Sequence, residues 1–395
     1  MIIRKVKNLF HLLEAIVANV IFCFPSRKLR VIGVTGTDGK TTTAHLIYHI
    51  LKTAGKKVSL ISSVYADVAD IMYETGLHTT TPHAFEVQKF IKRAQSRGDE
   101  YFVLETTSHA LDQYRVWGVL FYCAVLTNVT HEHLDYHHVY DKYIQAKAKL
   151  LRMAKNCIVN RDDNSFQKIS ALFSHKKIIS YGIKNRADIN WDFAIQTNLK
   201  GTYNKENILA GYACCVILGI KKKYIYQGIK TFTLPKGRFD VVYEGDFTVI
   251  IDFAHTPHAI SQLLVTIKKE VMDGSNGHII HIFGSAGLRD ATKRPKMGSA
   301  SARYADIIIL TEEDYRTERV EDICKQIERG INRNAKKTLK TFVVYSRDHA
   351  IKKGISIAKK GDVVVITGKG HEKSLCRGKK EYQWSDHEAV QKALL

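Results

Sequence analysis

The sequence predicts an α/β protein in which a central P-loop domain with a mostly parallel sheet precedes a second, Rossmann-like α/β domain. Three observations carry that expectation. Short apolar runs alternate with stretches of helical periodicity. The runs fall into two series, parted at Leu234-Pro235-Lys236-Gly237, where a proline and a glycine break the pattern. The first run enters a glycine-rich turn, and Lys40 and Thr41 open the helix behind it. Apolar strands separated by helices imply parallel sheets with both faces covered, since each crossover lays a helix on the sheet.

In chain order, Leu9, Leu12, Leu13, Ile16, Val17, Val20, Ile21 and Phe24 stand at helical spacing behind Arg4, Lys5 and Lys7. Glu14 and Asn19 interrupt this apolar stretch and no small-x-small cleavage site follows, so neither a signal peptide nor a spanning helix is expected. Two placements remain open: docked on its own protein, or lying on a membrane surface. The first strand series is expected at residues 30–36, 57–64, 101–106, 123–129 and 156–160, and the second at 247–254, 277–284, 305–311, 341–345 and 362–368. Helical stretches such as 42–54 and 208–218 separate them. The expected organisation is an amphipathic helix over 1–29, a central ATP-binding domain over 30–236 and a C-terminal domain over 237–395.

With 45% hydrophobic and 25% charged residues, the chain has the proportions of an ordinary folded protein, which excludes disordered and collagen-like classes. Its seven cysteines form no C-x-x-C pair and sit mostly in apolar runs, pointing to a reducing, cytoplasmic compartment and away from a zinc ribbon. The net charge of +21 favours anionic partners such as nucleotides, phosphorylated sugars or an anionic membrane face. The basic residues are spread along the chain without an Arg-rich arm, so nucleic acid is not the expected partner.

The sharpest local signal is the strand–turn–helix around Gly36-Thr37-Asp38-Gly39-Lys40-Thr41-Thr42. Gly36 and Gly39 let backbone N–H groups approach phosphate oxygens, the helix N-terminus adds partial positive charge, and Lys40 adds a full one. The Thr41 hydroxyl is placed to ligate Mg²⁺. Spacing departs from the usual P-loop: Val34 stands where its first glycine would fall, and glycines stand at 33 and 36. Glu105 ends the run at 101–104 and His133 lies just past another strand, at the carboxyl ends where open α/β sheets bind ligands. A glutamate and a histidine there suit Mg²⁺ at a triphosphate; His133 and His137, four apart, would also suit zinc on one helix face.

The compact form Thr35-Gly36-Thr37-Asp38-Gly39-Lys40-Thr41 resembles the loop of Mur ligases and folylpolyglutamate synthases. Further segments follow in Mur ligase order to the end of the chain. They are Thr80-Thr81-Pro82, Glu105-Thr-Thr-Ser-His-Ala-Leu-Asp-Gln-Tyr-Arg-Val116, Thr127-Asn-Val-Thr-His-Glu-His-Leu-Asp-Tyr-His137 and Tyr143-Ile-Gln-Ala-Lys147. Beyond them come Gly201-Thr-Tyr-Asn-Lys-Glu-Asn207, Gly237-Arg238, Asp252-Phe-Ala-His-Thr-Pro257, Arg289-Asp290 with Lys293-Arg294-Pro295, and Gly368-Lys-Gly-His-Glu372. The chain is similar above all to the branch that adds the third amino acid of the peptidoglycan stem peptide.

The resemblance implies an ATP-dependent ligase that activates the carboxylate of a muramyl-dipeptide acceptor as an acyl phosphate and joins it to an amino acid. It implies catalytic roles for Lys40, Glu105, His133 and Lys147, with Thr41, Glu105, His133 and a carbamylated Lys147 as Mg²⁺ ligands. Asn204, Asn207, Arg238, Asp252 and His255 join the loop residues on the nucleotide; Thr80, Thr81, Thr107, Ser108, Arg115, Arg289, Asp314, Arg316, Gly368 and Glu372 face the acceptor or the amino acid. Two departures qualify it. The family carries a further N-terminal domain that grips uridine diphosphate, whereas here about 29 residues precede the loop domain, leaving the acceptor UDP-linked, lipid-linked or held otherwise. Diaminopimelate-adding members read Asp-Asn-Pro-Arg where this chain reads Glu313-Asp-Tyr-Arg316; the retained arginine favours diaminopimelate or a similar diamino acid. The runner-up is a polyglutamylating ligase of the same superfamily, whose loops usually read Gly-Lys-Gly-Ser. A monomer is expected, in the cytoplasm and, if the first helix binds lipid, at the inner face of the membrane.

Overall fold

The computed structural model describes residues 2–74, 80–130, 132, 134–192, 194–272, 274, 276–334 and 338–395. The chain divides into two compact units, Met1–Thr130 with Val139–Leu199 and Tyr203–Thr233, and His131–His138 with Lys200–Thr202 and Leu234–Leu395. The two short stretches that join the second unit cannot be assigned from chain order, because contacts define the unit.

The first unit opens with helix α1 (Ile2–Ile21) and then alternates strand and helix: β1 (Arg30–Thr35), α2 (Lys40–Thr53), β2 (Val58–Ile61), β3 (Ala66–Val68), β4 (Ile71–Tyr73), α3 (Ala84–Ser96), β5 (Tyr101–Glu105), β6 (Phe121–Leu126), β7 (Ala154–Asn160), β8 (Ile178–Gly182) and β9 (Ile189–Asn190). Among the described residues these strands form one sheet in the order β4-β3-β2-β5-β1-β6-β7-β8-β9. Pairing is parallel except at β2–β3 and β3–β4. β1 lies between β5 and β6, with Val34 opposite both Glu105 and Val125. Its β-branched side chains suit a pleated strand packed on both faces, and Val31, Ile32 and Val34 are all fully buried. The expected strands appear close to their predicted positions. The short strands β3 and β8 and the edge strands β4 and β9 beyond them lack a long apolar run and are additional.

α1 docks on its own unit. Ala15 and Ala18 are buried against Ala84 of α3, and the Asn19 amide donates to the Trp117 carbonyl at 2.7 Å and to the Ala15 carbonyl at 2.8 Å. Asn8 reaches the Asp112 carbonyl at 3.1 Å. Small and polar residues thus make the inner face. No helix among the described residues is long and apolar enough to cross a membrane.

The second unit holds β10 (Asp240–Glu244), β11 (Thr248–Asp252), β12 (Ile279–Phe283), β13 (Ile307–Leu310), β14 (Lys340–Val343) and β15 (Val363–Thr367), in the order β10-β11-β15-β12-β13-β14. All pairs are parallel except β10–β11. One core holds Ile250, Ile279, Phe283, Ile308 and Val365; the other holds Ile251, Ile280, Ile282, Ile309 and Ile366. Alternate residues of the same strands feed the two cores, so the sheet is covered on both faces. A hairpin of β16 (Ser374–Arg377) and β17 (Lys380–Gln383) follows.

Candidate active site

β1 delivers the loop, and its two neighbours deliver the groups around it. Gly36 has no room for a side chain: a Cβ there would lie 1.8 Å from the Thr127 hydroxyl, just past the end of β6. Gly39 has φ +81°, and a Cβ would lie 2.2 Å from the Asn207 side-chain oxygen. Gly36, at φ +154°, and Gly39 both exclude other residues by backbone conformation as well as by space. The loop is tied down by neutral bonds. Asp38 N–H donates to Asn128 Oδ1 at 2.9 Å, while Thr127 Oγ1 and Asn128 Nδ2 donate to the Asp38 carbonyl at 2.7 and 3.1 Å. The Thr37 hydroxyl accepts from Thr130 N–H at 3.0 Å and pairs with the Tyr143 hydroxyl at 3.1 Å.

Lys40 and Thr41 begin α2. The Lys40 ammonium donates to the Thr37 carbonyl at 2.8 Å, and among the described residues no carboxylate lies within ion-pair distance of it. Thr41, Thr42 and Glu105 are buried. The Thr41 hydroxyl donates to Glu105 Oε1 at 3.1 Å and lies 3.0 Å from the Ser63 hydroxyl; Ser63 N–H donates to Glu105 Oε2 at 2.9 Å. These buried hydroxyl and carboxylate oxygens are the hard donors that Mg²⁺ prefers. Lys147, on the helix Tyr140–Met153, is buried beneath the loop, its ammonium 2.5 Å from the Gly36 carbonyl and 4.4 Å from the centre of the Tyr143 ring. Asn207 approaches the loop through Thr43 at 3.5 Å and bonds Asn204 at 3.3 Å.

A second group stands beside Glu105. Thr81 Oγ1 donates to the Glu105 carbonyl at 3.0 Å and accepts from Thr107 N–H at 3.1 Å, and Arg115 donates to the Thr81 carbonyl at 2.8 Å. Thr107 caps the helix Ser108–Asp112 by accepting from Ala110 N–H. Thr80 is half-buried next to Thr81. His133 lies outside the described residues.

The second unit gathers its own predicted residues. Arg238 sits over the Phe253 ring at 4.5 Å and lies 3.2 Å from His371 Nδ1. The Asp252 carboxylate accepts from Phe239 and Ala254 N–H, each at 2.7 Å, and His255 Nδ1 lies 2.9 Å from the Phe253 carbonyl. Asp314 pairs with Lys369 at 3.0 Å and accepts from Cys376 N–H at 2.9 Å; Lys369 also pairs with Glu372. Burial pulls the Lys369 ammonium toward neutrality, but the Glu372 and Asp314 carboxylates outweigh it and raise its pKa above the usual value. Arg316, at φ +52°, donates to the Gly287 carbonyl at 2.6 Å. Gly368, at φ +106°, leaves space that a Cβ would close to 2.7 Å from Glu313 Oε2. Arg289 is exposed. Ser63, Asn128, Tyr143, Glu313 and Lys369 had no assigned role in the sequence. Asn128, Tyr143, Glu313 and Lys369 lie inside motifs that stand out in the sequence, whereas Ser63 carries no signal but its place after β2.

Two family models match the chain: Mur ligase middle domain over residues 34–215, and Mur ligase, glutamate ligase domain over residues 237–370. The UDP-N-acetylmuramoyl-L-alanyl-D-glutamate–2,6-diaminopimelate ligase of Aquifex aeolicus (strain VF5) is 38% identical over 396 residues, covering 95% of this chain and 80% of that protein. The UDP-N-acetylmuramyl-tripeptide synthetase of Borreliella afzelii (strain PKo) is 35% identical over 410 residues, covering 96% and 79%. A solved UDP-N-acetylmuramoyl-L-alanyl-D-glutamate–2,6-diaminopimelate ligase superposes with TM-score 0.59 at 28% identity, covering 93% of this chain and 78% of that one. Folylpolyglutamate synthase of Mycobacterium tuberculosis complexed with ADP reaches TM-score 0.69 at 15% identity, covering 90% and 91%, a likeness of fold.

Proposed function

The chain belongs to the Mur ligase family, and on that premise we propose that it is an ATP-dependent amide ligase of peptidoglycan precursor synthesis. It adds an amino acid, meso-diaminopimelate or a similar diamino acid, to a muramyl-dipeptide acceptor. The observation that carries this reading is the buried Thr41–Glu105–Ser63 oxygen cluster beside Lys40, at the start of a helix. Lys40 and the loop N–H groups hold the phosphates and offset the charge that develops as the acceptor carboxylate attacks the γ-phosphate. The bond to the leaving ADP breaks, an acyl phosphate forms, and the incoming amine then displaces phosphate to leave the amide. Mg²⁺ held by the Thr41 hydroxyl and the Glu105 carboxylate would supply further charge neutralisation at the phosphates. Asn204, Asn207, Arg238, Asp252 and His255 are assigned to the nucleotide. Thr80, Thr81, Thr107, Ser108 and Arg115, placed beside Glu105, are assigned to the acceptor. Arg289, Asp314, Arg316, Gly368 and Glu372 are assigned to the amino acid, with Arg316 for its carboxylate.

His133 and Lys147 complete the assignment, Lys147 as a carbamate formed with CO₂. Burial of its amine under the loop supports this, because a carboxylate-like group there adds an oxygen donor where an ammonium has none. The protein works as a monomer in the cytoplasm, and α1 gives it a peripheral contact with the inner face of the membrane.

The deciding experiment is ADP release across a matrix of acceptors and amino acids. Release that requires muramyl dipeptide and a diamino acid together is expected; release driven by a folate and glutamate would replace this reading with the polyglutamylating one. For Lys147, the Lys147→Ala enzyme should be nearly inactive and partly rescued by short carboxylates. A ¹³CO₂-treated, active, Mg²⁺-loaded sample without a carbamate resonance would refute the modification.

A further inference from the structure

Helix α1 is amphipathic in reverse. A surface helix ordinarily turns its large apolar side chains inward, yet here Ala15, Ala18 and Asn19 face the protein while Val6, Leu9, Phe10, Leu13, Val17, Val20 and Ile21 are between 48% and 67% exposed. At 100° per residue these seven fall within an arc of about 120° that contains no charged side chain. Trp117 and Leu120 are exposed next to the C-terminal end of the helix, where Asn19 bonds the Trp117 carbonyl and Ser26 accepts from Leu120 N–H. Both donors of the buried Asn19 amide are bonded to carbonyls, while its Oδ1 accepts no bond among the described residues, so the two donor bonds fix this face inward and the apolar face outward.

The surroundings are basic. The chain leaves α1 through Arg27, Lys28 and Arg30, all exposed, which with Lys56 line an open groove of about 590 Å³ against one acid, Glu100. Glu100 is taken by Lys56 at 3.0 Å. Arg30 lies over the rings of Tyr101 and Tyr122 at 5.8 and 5.2 Å, which leaves its charge outward and supported.

We propose that the outer face of α1, with the cationic groove beside it, is an interfacial site for an anionic lipid bilayer: the apolar arc enters the headgroup–acyl boundary and Arg27, Lys28 and Arg30 meet lipid phosphates. The inference rests on the cytoplasmic placement of the ligase and names the surface and the lipid chemistry of its membrane contact. Apolar burial and attraction to anionic lipid add in such helices, and binding is reversible and salt-sensitive. A second copy of the chain would cover the apolar arc but bring a further net charge of +21 toward the adjacent cations.

The test is flotation of the full chain with vesicles of phosphatidylglycerol and phosphatidylcholine, and with phosphatidylcholine alone. The wild type should float with the anionic vesicles, less so as salt rises, and bind the neutral ones weakly. Leu13→Glu with Val17→Glu should reduce the bound fraction about tenfold or more, and Arg27→Glu with Lys28→Glu should remove the salt dependence. All four positions are exposed, so these variants should fold and turn over a water-soluble acceptor as the wild type does. Equal flotation of wild type and Leu13→Glu/Val17→Glu, or equal binding to neutral vesicles, would overturn the proposal. So would a wild type that stays with the aqueous phase as a dimer which that variant splits. Vesicle binding by a wild type that ligates nothing would uphold this site and strike down the ligase reading instead.

Discussion

In the first unit the loop cation Lys40 rests on a backbone carbonyl, whereas in the second unit the buried cations lie against carboxylates. Arg347 is fully buried and grips Asp386 with two bonds of 2.7 Å, while also donating to the Thr367 carbonyl at 2.9 Å. Lys369 is held between Asp314 and Glu372. A buried charge without a partner is costly, so a cation that must be stable in the empty protein carries its counter-ion with it. One that awaits an anion is left half-exposed with a neutral partner it can release. The difference separates a side chain that builds the fold from one that, on the proposed assignment, builds a phosphate site.

The comparison breaks first at Lys40. Lys40→Ala should lower kcat/KM by about 10³–10⁴-fold, or about 4–5 kcal/mol at the transition state, while thermal melting stays close to that of the wild type. Near-normal turnover in the folded variant would mean that ATP binds elsewhere. Arg347→Met should do the reverse. Removing one partner strands Asp386 and should cost about 3–4 kcal/mol of stability, read by denaturant unfolding. Replacing Asp386 with Leu in the same chain should recover much of that loss, and failure to recover it would deny the pair its role.

The smallest effect sharpens the comparison inside the first unit. Glu206 is mostly buried, and desolvation, aided by Asp162 and Asp163 against the opposing pull of Lys184, raises its pKa from 4.5 to about 7. The folded state therefore keeps a proton that the unfolded chain has already lost over this range. Its contribution is fully present below the unfolded value of 4.5 and is lost as pH climbs to about 7. Stability should fall by about 1–3 kcal/mol across that window, and Glu206→Gln should flatten the fall in a pH series of urea melts. An unchanged slope would show that Glu206 does not titrate there.

The residues that were legible in the sequence are those whose chemistry and local geometry coincide. Lys40 and Thr41 follow a β-branched strand and a glycine turn, and Glu105 ends an apolar strand, so the pattern alone sets them at a strand end. The inner strands β1, β5, β6, β11, β12 and β15 carry long apolar runs because both their faces are covered. The edge strand β10, read as Asp240-Val-Val-Tyr-Glu244, mixes charge with apolar residues and carries no such signal. Arg347 and Asp386 were invisible for a different reason: only tertiary packing brings them together, and each alone looks like a surface charge. Helix α1 was legible as a helix, but its orientation was not, since periodicity reports a stripe and not the side on which the protein lies.

The position of β1 between β5 and β6 also sets when the site can exist. Val34 pairs with Glu105 and Thr35 with Leu126, contacts about 70 and 90 residues apart along the chain. Pairings of that span close large loops and form late, after the local helices. The loop after β1 depends on both, because Thr127, just past β6, buttresses Gly36 and Asp38 and Glu105 receives Thr41. On the proposed assignment of this loop to the nucleotide, affinity for it is a property that a nascent or half-folded chain lacks. Capture of ATP would report that the central sheet has closed, and saturating ATP would favour the completed unit by mass action.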